Sequence, residues 1–314
     1  MEILKIIIPH RMTGNRLDSS LAEMLPQYSR SKITAWIKAG DALINNKTFK
    51  PKDKVTKSEE VSLTLTEKQN NNWLAEDIPI KIIYEDHDII VINKDFGLVT
   101  HPGAGNSTGT LANALLYYDS NLSKLDRAGI VHRLDKNTSG LMVVARNAKS
   151  QKYLVEQLQN HSVHREYSAI VYGHMIAGGT IDEPIGRDSK DRVKQAVSMS
   201  GKDAVTHYRA IDRFKSHTHV KAILETGRTH QIRVHLSHVG HSLIGDVMYG
   251  GRVRFPKKAS EELKLALVNF KRQALHSKKL TLTHPISGDL MSWKAPLPDD
   301  MQKLLDELKK YDSL

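Results

Sequence analysis

Five short runs limit what this chain can fold into: "IKIIYEDHDIIVINK" (80–94), "GLMVVA" (140–145), "REYSAIVYG" (165–173), "HVKAILET" (219–226) and "KKLTLTHP" (278–285). Each is rich in β-branched or aromatic residues and bounded by turn formers, so each reads as strand. Helical patterns fall between them at "TLANALLYY", "AKSQKYLVEQLQ", "ASEELKLALVNFKRQALH" and "DDMQKLLDELKKY". Strands and helices alternate, yet many strand-to-strand connections are short and turn-rich. That favours a mixed, mainly antiparallel sheet flanked by helices and loops over a doubly wound parallel one, and the expected class is α+β.

A separate unit precedes this pattern. "RLDSSLAEMLP" spaces Leu17, Leu21 and Leu25 as a helix that Pro26 closes. "SRSKITAWIKAG" reads as a second helix, with Ser29 or Ser31 as cap and Gly40 as terminator. Its apolar face carries Ile33, Trp36 and Ile37, which leaves Arg30, Lys32 and Lys38 to solvent. "DALINNKTFK" predicts strand, Asn-Asn turn, strand, and "EEVSLTLT" a last strand. The polar run "EKQNNNWLAEDI" (67–78) places the boundary, giving a small domain with its linker at 1–75 and a larger one at 76–314.

The charge balance narrows the partners. With 46 Lys and Arg against 35 Asp and Glu, the net charge is +11, which favours a polyanion such as nucleic acid. The absence of cysteine excludes disulfides, thiolate metal sites and cysteine nucleophiles, and fits a reducing compartment. The N-terminal "MEILKIIIPHRM" lacks the long apolar core of a signal peptide, and no run approaches the about 18 apolar residues of a membrane span. The expectation is a cytoplasmic protein with no membrane association.

The densest chemistry lies in "GIVHRLDKNTSGLMVVA" (129–145), where Asp135 sits among His132, Arg133 and Lys136 at the lip of a buried strand. An acid before a Thr-Ser-Gly sequence is commonly a turn former or cap, so spacing alone leaves catalysis and turn formation both open. In "ETGRTHQIRVHLSHVGH", Arg228 follows a glycine turn and Arg233 lies among Ile232, Val234 and Leu236. An arginine in apolar surroundings needs an anionic partner, either a nearby structural acid or Asp135 itself. The histidines of "GRTHQIRVHLSHVGH", His235 and His238 on one helical face among them, come without cysteine or a carboxylate within that run, and no metal is expected. Tyr167 falls on the more apolar face of its strand, where it is either a core residue or a platform for an unpaired base. The loop "HPGAGNSTGT" (101–110) fits neither the P-loop nor the dinucleotide pattern, so it is an ordinary loop or one that holds an anion on free backbone N–H groups.

Taken together, "HRLDKNTSGLMVVA", "REYSAIVYG", "ETGRTHQIRVHLSHVGHSLIGDVMYGG" and "RQALHSKKLTLTHPISG" resemble the RluA-type pseudouridine synthases, and the N-terminal unit resembles an S4 RNA-binding domain. The resemblance implies that Asp135 is the catalytic acid, that Tyr167 stacks on the flipped base and shares in proton removal at C5, and that Arg233 pairs with the acid. It implies that Arg133 enters the RNA stack vacated by the target, with His132 and Arg228 beside the RNA. Asn137 and Ser139 stand where relatives can carry Asp or Thr. No cofactor is implied, because the isomerisation of uridine neither gains atoms nor changes oxidation state. The branch resembled points to 23S ribosomal RNA of the large subunit or its precursor, in the helix 69 loop, and to a monomer. Two other readings fit parts of the sequence: a non-catalytic ribosome-associated RNA-binding or assembly factor, and a synthase acting on tRNA or other rRNA sites.

Overall fold

The computed structural model describes residues 2–26, 28, 30–65, 73–103, 105–191 and 193–313, with the side chains of Glu2, Ser31, Lys32 and Leu65 outside that description. The chain divides into two compact units, Met1–Gln69 and Asn70–Leu314.

In the first unit, β1 (Glu2–Ile7), α1 (Leu17–Met24), α2 (Arg30–Ala39), β2 (Ala42–Ile44), β3 (Lys47–Thr48) and β4 (Glu60–Leu65) follow in order. The strands pair antiparallel as β1-β4-β2-β3. The expected helices and the Asn-Asn hairpin form: Asn45 and Asn46 hold φ of 47° and 63°, the positive values a two-residue turn of right-handed twist requires. Leu17, Leu21, Ile33, Trp36 and Ile37 bury against Ile44, Val61 and Leu63. Strand β1 was not anticipated; it buries Ile6 while Ile3 and Ile7 stay exposed, so only part of its alternation faces the core. Of the two candidate caps, Ser29 lies outside the described residues and Ser31 falls inside the helix.

The second unit runs β5 (Lys81–Glu85), β6 (Ile89–Lys94), α3 (Leu111–Tyr118), β7 (Ser139–Ala145), α4 (Ala148–Gln159), β8 (His164–Tyr172), β9 (Gly179–Asp182), β10 (Ile185–Arg187), β11 (Gln195–Val197), β12 (Val205–Arg213), β13 (His217–Leu224), α5 (Gln231–His238), α6 (Val247–Gly250), α7 (Glu261–Asn269), β14 (Leu275–Thr283), β15 (Leu290–Lys294) and α8 (Asp299–Tyr311). Its main sheet has the order β5-β6-β7-β14-β8-β13-β12-β9, with β15 alongside β14 and β10-β11 as a separate ribbon. The class is α+β and the sheet mixed: β7 and β14 run parallel, and the other named pairings are antiparallel.

Both faces of the sheet are covered, which is why its central strands read as continuous apolar runs. Met142 and Val144 of β7, with Tyr167, Ala169 and Val171 of β8, pack under α3 and Leu236 of α5. On the other face Leu141 and Val143 meet Leu154 of α4, and Ile170 and Tyr172 meet α7 and α8. One helix is shorter than its sequence suggests. The pattern 259–276 predicts a single helix, but α7 ends at Asn269, and Leu275 and His276 join β14, opposite Ala169 and Ser168 of β8. Burial in the sheet centre outweighs helix propensity there.

Candidate active site

The loop 131–138 leads into β7, at the point where β7 and β14 pair in parallel. Its turn is Asp135–Thr138, closed by Thr138 N donating to the Asp135 carbonyl at 3.0 Å. Gly140 is not part of that turn but belongs to β7, with φ of +115°. A Cβ at 140 would run into the Ser277 backbone, so the glycine allows the two strands to approach.

Buried side chains hold this loop by its carbonyls. Lys94, only 2% exposed, donates from Nζ to the carbonyls of Asp95 at 2.8 Å, Leu98 at 2.9 Å and Lys136 at 3.2 Å. Burial pulls the Lys94 ammonium down to about 7, with Asp135 opposing. Thr100 Oγ1 donates to the Leu134 carbonyl at 2.8 Å, and Arg272 Nη1 to that of Asn137 at 3.3 Å. Arg272 is itself anchored on Asp300 of α8 by two bonds of 2.6 and 2.8 Å. Asp135 is thereby carried on a backbone fixed on several sides.

The side chain of Asp135 faces Arg233 of α5, whose Nη1 donates to Oδ2 at 2.9 Å. The rest of the guanidinium is gripped by Asp246, with Nε to Oδ2 at 2.7 Å and Nη2 to Oδ1 at 3.0 Å. This fork-on-carboxylate pairing fixes a planar group in orientation. Asp246 also caps α6, accepting from Met248 N and Tyr249 N. Burial alone would lower the Arg233 pKa, but Asp246 and Asp135 outweigh it and raise it. Tyr249 lies 4.9 Å from the guanidinium carbon, ring centroid to Cζ, and its hydroxyl shares a hydrogen bond with His230 Nδ1 at 2.8 Å. His230 Nε2 stands 3.8 Å from Asp135 Oδ1, and burial lowers the His230 pKa although Asp135 opposes it.

These groups open on a cavity of about 510 Å³, within the roughly 300–1,000 Å³ usual for small-ligand sites. Tyr167 lines it from β8, and burial raises the Tyr167 pKa against the opposing effect of Arg165. Arg133, exposed, and Arg228, half-buried, are on its wall, the latter donating from Nε to the Asp203 carbonyl at 2.9 Å. His132 also lines it, with Nε2 accepting from Val143 N at 3.0 Å. The His132 residue as a whole keeps some exposure, yet its ring is enclosed, and burial with the nearby Arg165 charge pushes it down to about 3.

Comparisons with known proteins identify the family. A family model described as RNA pseudouridylate synthase matches residues 88–238, and an S4 domain model matches residues 15–61. A ribosomal large subunit pseudouridine synthase D of Escherichia coli is 51% identical over 98% of this chain and 94% of its own length. Its counterpart in Xanthomonas campestris is 48% identical over 97% and 92%. The chain belongs to the RNA pseudouridylate synthase family. Among solved structures, the human RNA pseudouridylate synthase domain containing 4 covers 73% of this chain and 93% of its own, at 26% identity and a TM-score of 0.57.

For a pseudouridine synthase the sequence motifs converge well. Asp135, Tyr167, Arg233, Arg133, His132 and Arg228 come from separate segments to one cavity. Arg30 and Lys38 belong to α2 of the other unit; Arg30 Nη2 donates to Asp18 at 3.1 Å, Lys38 is exposed, and the Lys32 side chain lies outside the described residues. Of the two partners open to Arg233, the structure supplies both, Asp135 and the structural acid Asp246. Sequence reasoning did not single out Asp246, Tyr249, Lys94 or Arg165. The signal that pointed to Arg233, a charge inside an apolar segment, was equally present for Lys94 in "IIVINK". The loop 101–110 does not offer a free helix start: Gly109 N donates to the Glu76 carboxylate at 3.0 and 3.2 Å, and Thr110 caps α3. His235 is committed on both ring nitrogens, to Thr206 Oγ1 and the Glu183 carbonyl, each at 2.9 Å. Among the described residues, Asp86, Asp88 and His284 cluster closely enough to hold a cation. Asp86 already accepts from Tyr84 Oη and two backbone N–H groups, and Asp88 from Asn147.

Proposed function

We propose that this chain converts uridines of large-subunit ribosomal RNA into pseudouridine, in the helix 69 loop of 23S RNA, with Asp135 acting on the ribose of a flipped nucleotide. The observation that carries the reading is Arg233, clamped by Asp246 and presenting Nη1 at 2.9 Å to Asp135 at the edge of a cavity lined by Tyr167. The two bacterial relatives are named ribosomal large subunit pseudouridine synthases, which supports this substrate.

The target base leaves its stack at a cost of a few kcal/mol, least in a loop. Arg133, exposed on the cavity wall, offsets part of this by filling the vacancy with a flat hydrogen-bonding cation. Tyr167 holds the extruded base by stacking and stands near C5 for proton removal. Two routes are open to Asp135, attack at C1′ and removal of the C2′ proton; both break the N1–C1′ bond and leave its electron pair on the base. Arg233 keeps the carboxylate aimed throughout. His132 and Arg228 line the RNA path, and Arg30, Lys32 and Lys38 of the S4 domain grip phosphates. The chain works as a cytoplasmic monomer without cofactor or metal, with a catalytic domain from about residue 76 onward.

The test is complementation. In a strain lacking its own synthase for these sites, the wild-type gene should restore pseudouridine in the helix 69 loop, mapped by mass spectrometry of 23S RNA. Asp135→Asn should bind RNA within about threefold of wild type and restore none. Restoration by Asp135→Asn would refute the role given to the acid, and modification confined to tRNA or other ribosomal positions would refute the substrate.

A further inference from the structure

The cavity holds a cation that the steps above leave without a task. Arg165 precedes Tyr167 by two residues on β8, so both side chains leave the same face of the strand. Arg165 is 5% exposed and lines the cavity. Nη2 donates to the Glu225 carbonyl at 3.0 Å; Nε is buried without a hydrogen-bond partner, and no carboxylate pairs with the guanidinium among the described residues. A buried charge without an anion is costly to keep, and burial lowers the Arg165 pKa, with Tyr167 opposing. Arg233 and Arg272, comparably buried, each have a carboxylate gripped by two bonds. What Arg165 lacks in the fold can arrive with the substrate. The flank beside it is kept clear: a Cβ at Gly227 would meet Nη1 at 2.7 Å.

Two anionic groups come with a uridine in RNA, the phosphates and the base during bond breaking. Phosphates suit the arginines that keep contact with solvent, Arg133 and Arg228. Arg165 is deep and on the tyrosine side, where the base stacks. When the N1–C1′ bond breaks, its electron pair leaves with the base, as a uracil monoanion delocalised over N1, O2 and O4.

We propose that Arg165 is the counter-charge for that departing uracil anion, donating from the unpaired edge of its guanidinium to a base carbonyl oxygen. The proposal rests on the reading of the chain as a uridine-isomerising enzyme. The base then turns and bonds C1′ through C5; the C5 proton is lost and N1 gains one, so product and substrate are isomers and no oxidant enters. A fixed donor aimed at a charge that exists only during the reaction lowers the barrier without tightening substrate binding.

The test compares single-turnover rates of the full chain on RNA carrying uridine or 5-fluorouridine at the target, read as consumption of the target nucleoside at saturating enzyme. Fluorine withdraws electrons and stabilises the base anion, so the fluorinated base has less need of a counter-charge. Arg165→Met should slow uridine turnover by about 100-fold and 5-fluorouridine by about 10-fold or less, with the RNA Kd within about threefold of wild type. Equal loss on both substrates would overturn the proposal, as would a defect confined to Kd with a shallower salt slope, which marks binding to a phosphate. Should Arg165→Met fail to fold, Arg165→Lys carries the same test: its shorter reach must still raise the fluorouridine-to-uridine rate ratio, and an unchanged ratio overturns the idea. A wild-type enzyme that leaves uridine RNA untouched would instead defeat the function proposed above, before Arg165 is in question.

Discussion

Asp246 offers the sharpest perturbation, because it touches Arg233 and not the cavity. Asp246→Asn keeps the shape and a good N-cap for α6 but removes the negative charge facing a guanidinium that is 6% exposed. Breaking a buried pair by removing one partner costs about 3–5 kcal/mol. Here Arg233 keeps Asp135, and the amide oxygen still accepts one bond, so about 2–3 kcal/mol is expected. At roughly 2–4 °C per kcal/mol for a domain of this size, melting should fall by about 4–12 °C. Asp246→Ala also removes the acceptor for Met248 N and Tyr249 N and should cost about 1 kcal/mol more. Freed from its clamp, Arg233 can turn its whole fork onto Asp135, and a misaimed acid should lower single-turnover pseudouridine formation by roughly 10–100-fold, with RNA affinity unchanged. Thermal melting of the full chain and nucleoside analysis of a single-turnover reaction check both numbers. An Asp246→Asn enzyme that melts within about 2 °C of wild type and works within about twofold would show that the clamp does not position Arg233.

Three further outcomes are expected. Lys94→Met should leave the carbonyls of Asp95 and Leu98 without that donor and loosen the Asp135 loop, costing about 1–3 kcal/mol in urea denaturation together with catalytic rate. The wild-type advantage over Lys94→Met should grow from pH 7 toward pH 10, since the buried ammonium sheds its proton near 7, relieving the cost of its burial, while the unfolded lysine keeps its own to about 10; a pH-independent difference would contradict this. In the S4 unit, hydrogen bonding by Arg16, against the opposing effect of burial, holds Asp18 at about 2, assisted by Arg30, so its stabilisation is complete above about pH 4 and lost as pH falls through 2. With both arginines half exposed the effect is on the order of 1 kcal/mol, visible as a smaller acid-induced loss of stability in Asp18→Asn than in wild type. Substituting Arg30, Lys32 and Lys38 together by Gln should weaken RNA binding and lower the slope of log K against log salt by about 0.7–0.9 for each phosphate no longer neutralised, and an unchanged slope would remove these residues from the interface.

What could be read from the sequence follows from burial. The strands β6, β7, β8 and β13 announce themselves because both faces of the sheet are covered and little polar alternation interrupts them. Strand β12, "VTHYRAIDR", alternates half-buried and exposed residues near the sheet edge and was missed, as were the short β9, β10 and β11. The overrun of α7 has the opposite cause: Leu275 and His276 continue a helical pattern, and only the slot between β7 and β8 makes them strand. In the site, Asp135 and Arg233 stand 98 residues apart, so spacing could say that Arg233 needs an anion but not which one.

The answer the fold gives, two carboxylates on one arginine, has a chemical consequence. Had Asp135 been the sole partner of Arg233, a buried fork would have closed on both of its oxygens, and the acid would have been a structural ion pair. Asp246 takes that role with two bonds and leaves one nitrogen, Nη1, bonded to Asp135. Asp135 is consequently aimed but not consumed: it keeps 17% of its side-chain surface and a second oxygen whose ion-pair contact is His230 at 3.8 Å, beyond hydrogen-bond range. The helix that carries Arg233 and the short turn that carries Asp246 lie 13 residues apart, whereas the loop that carries Asp135 is pinned independently by Lys94, Thr100 and Arg272. The acid and its orienting cation are therefore set by two separate supports that meet across the cavity. Loosening either support should misalign the pair while leaving the other in place, so Lys94→Met and Asp246→Asn should each cost rate, and the double variant should cost less than their product, because only one alignment remains to be lost.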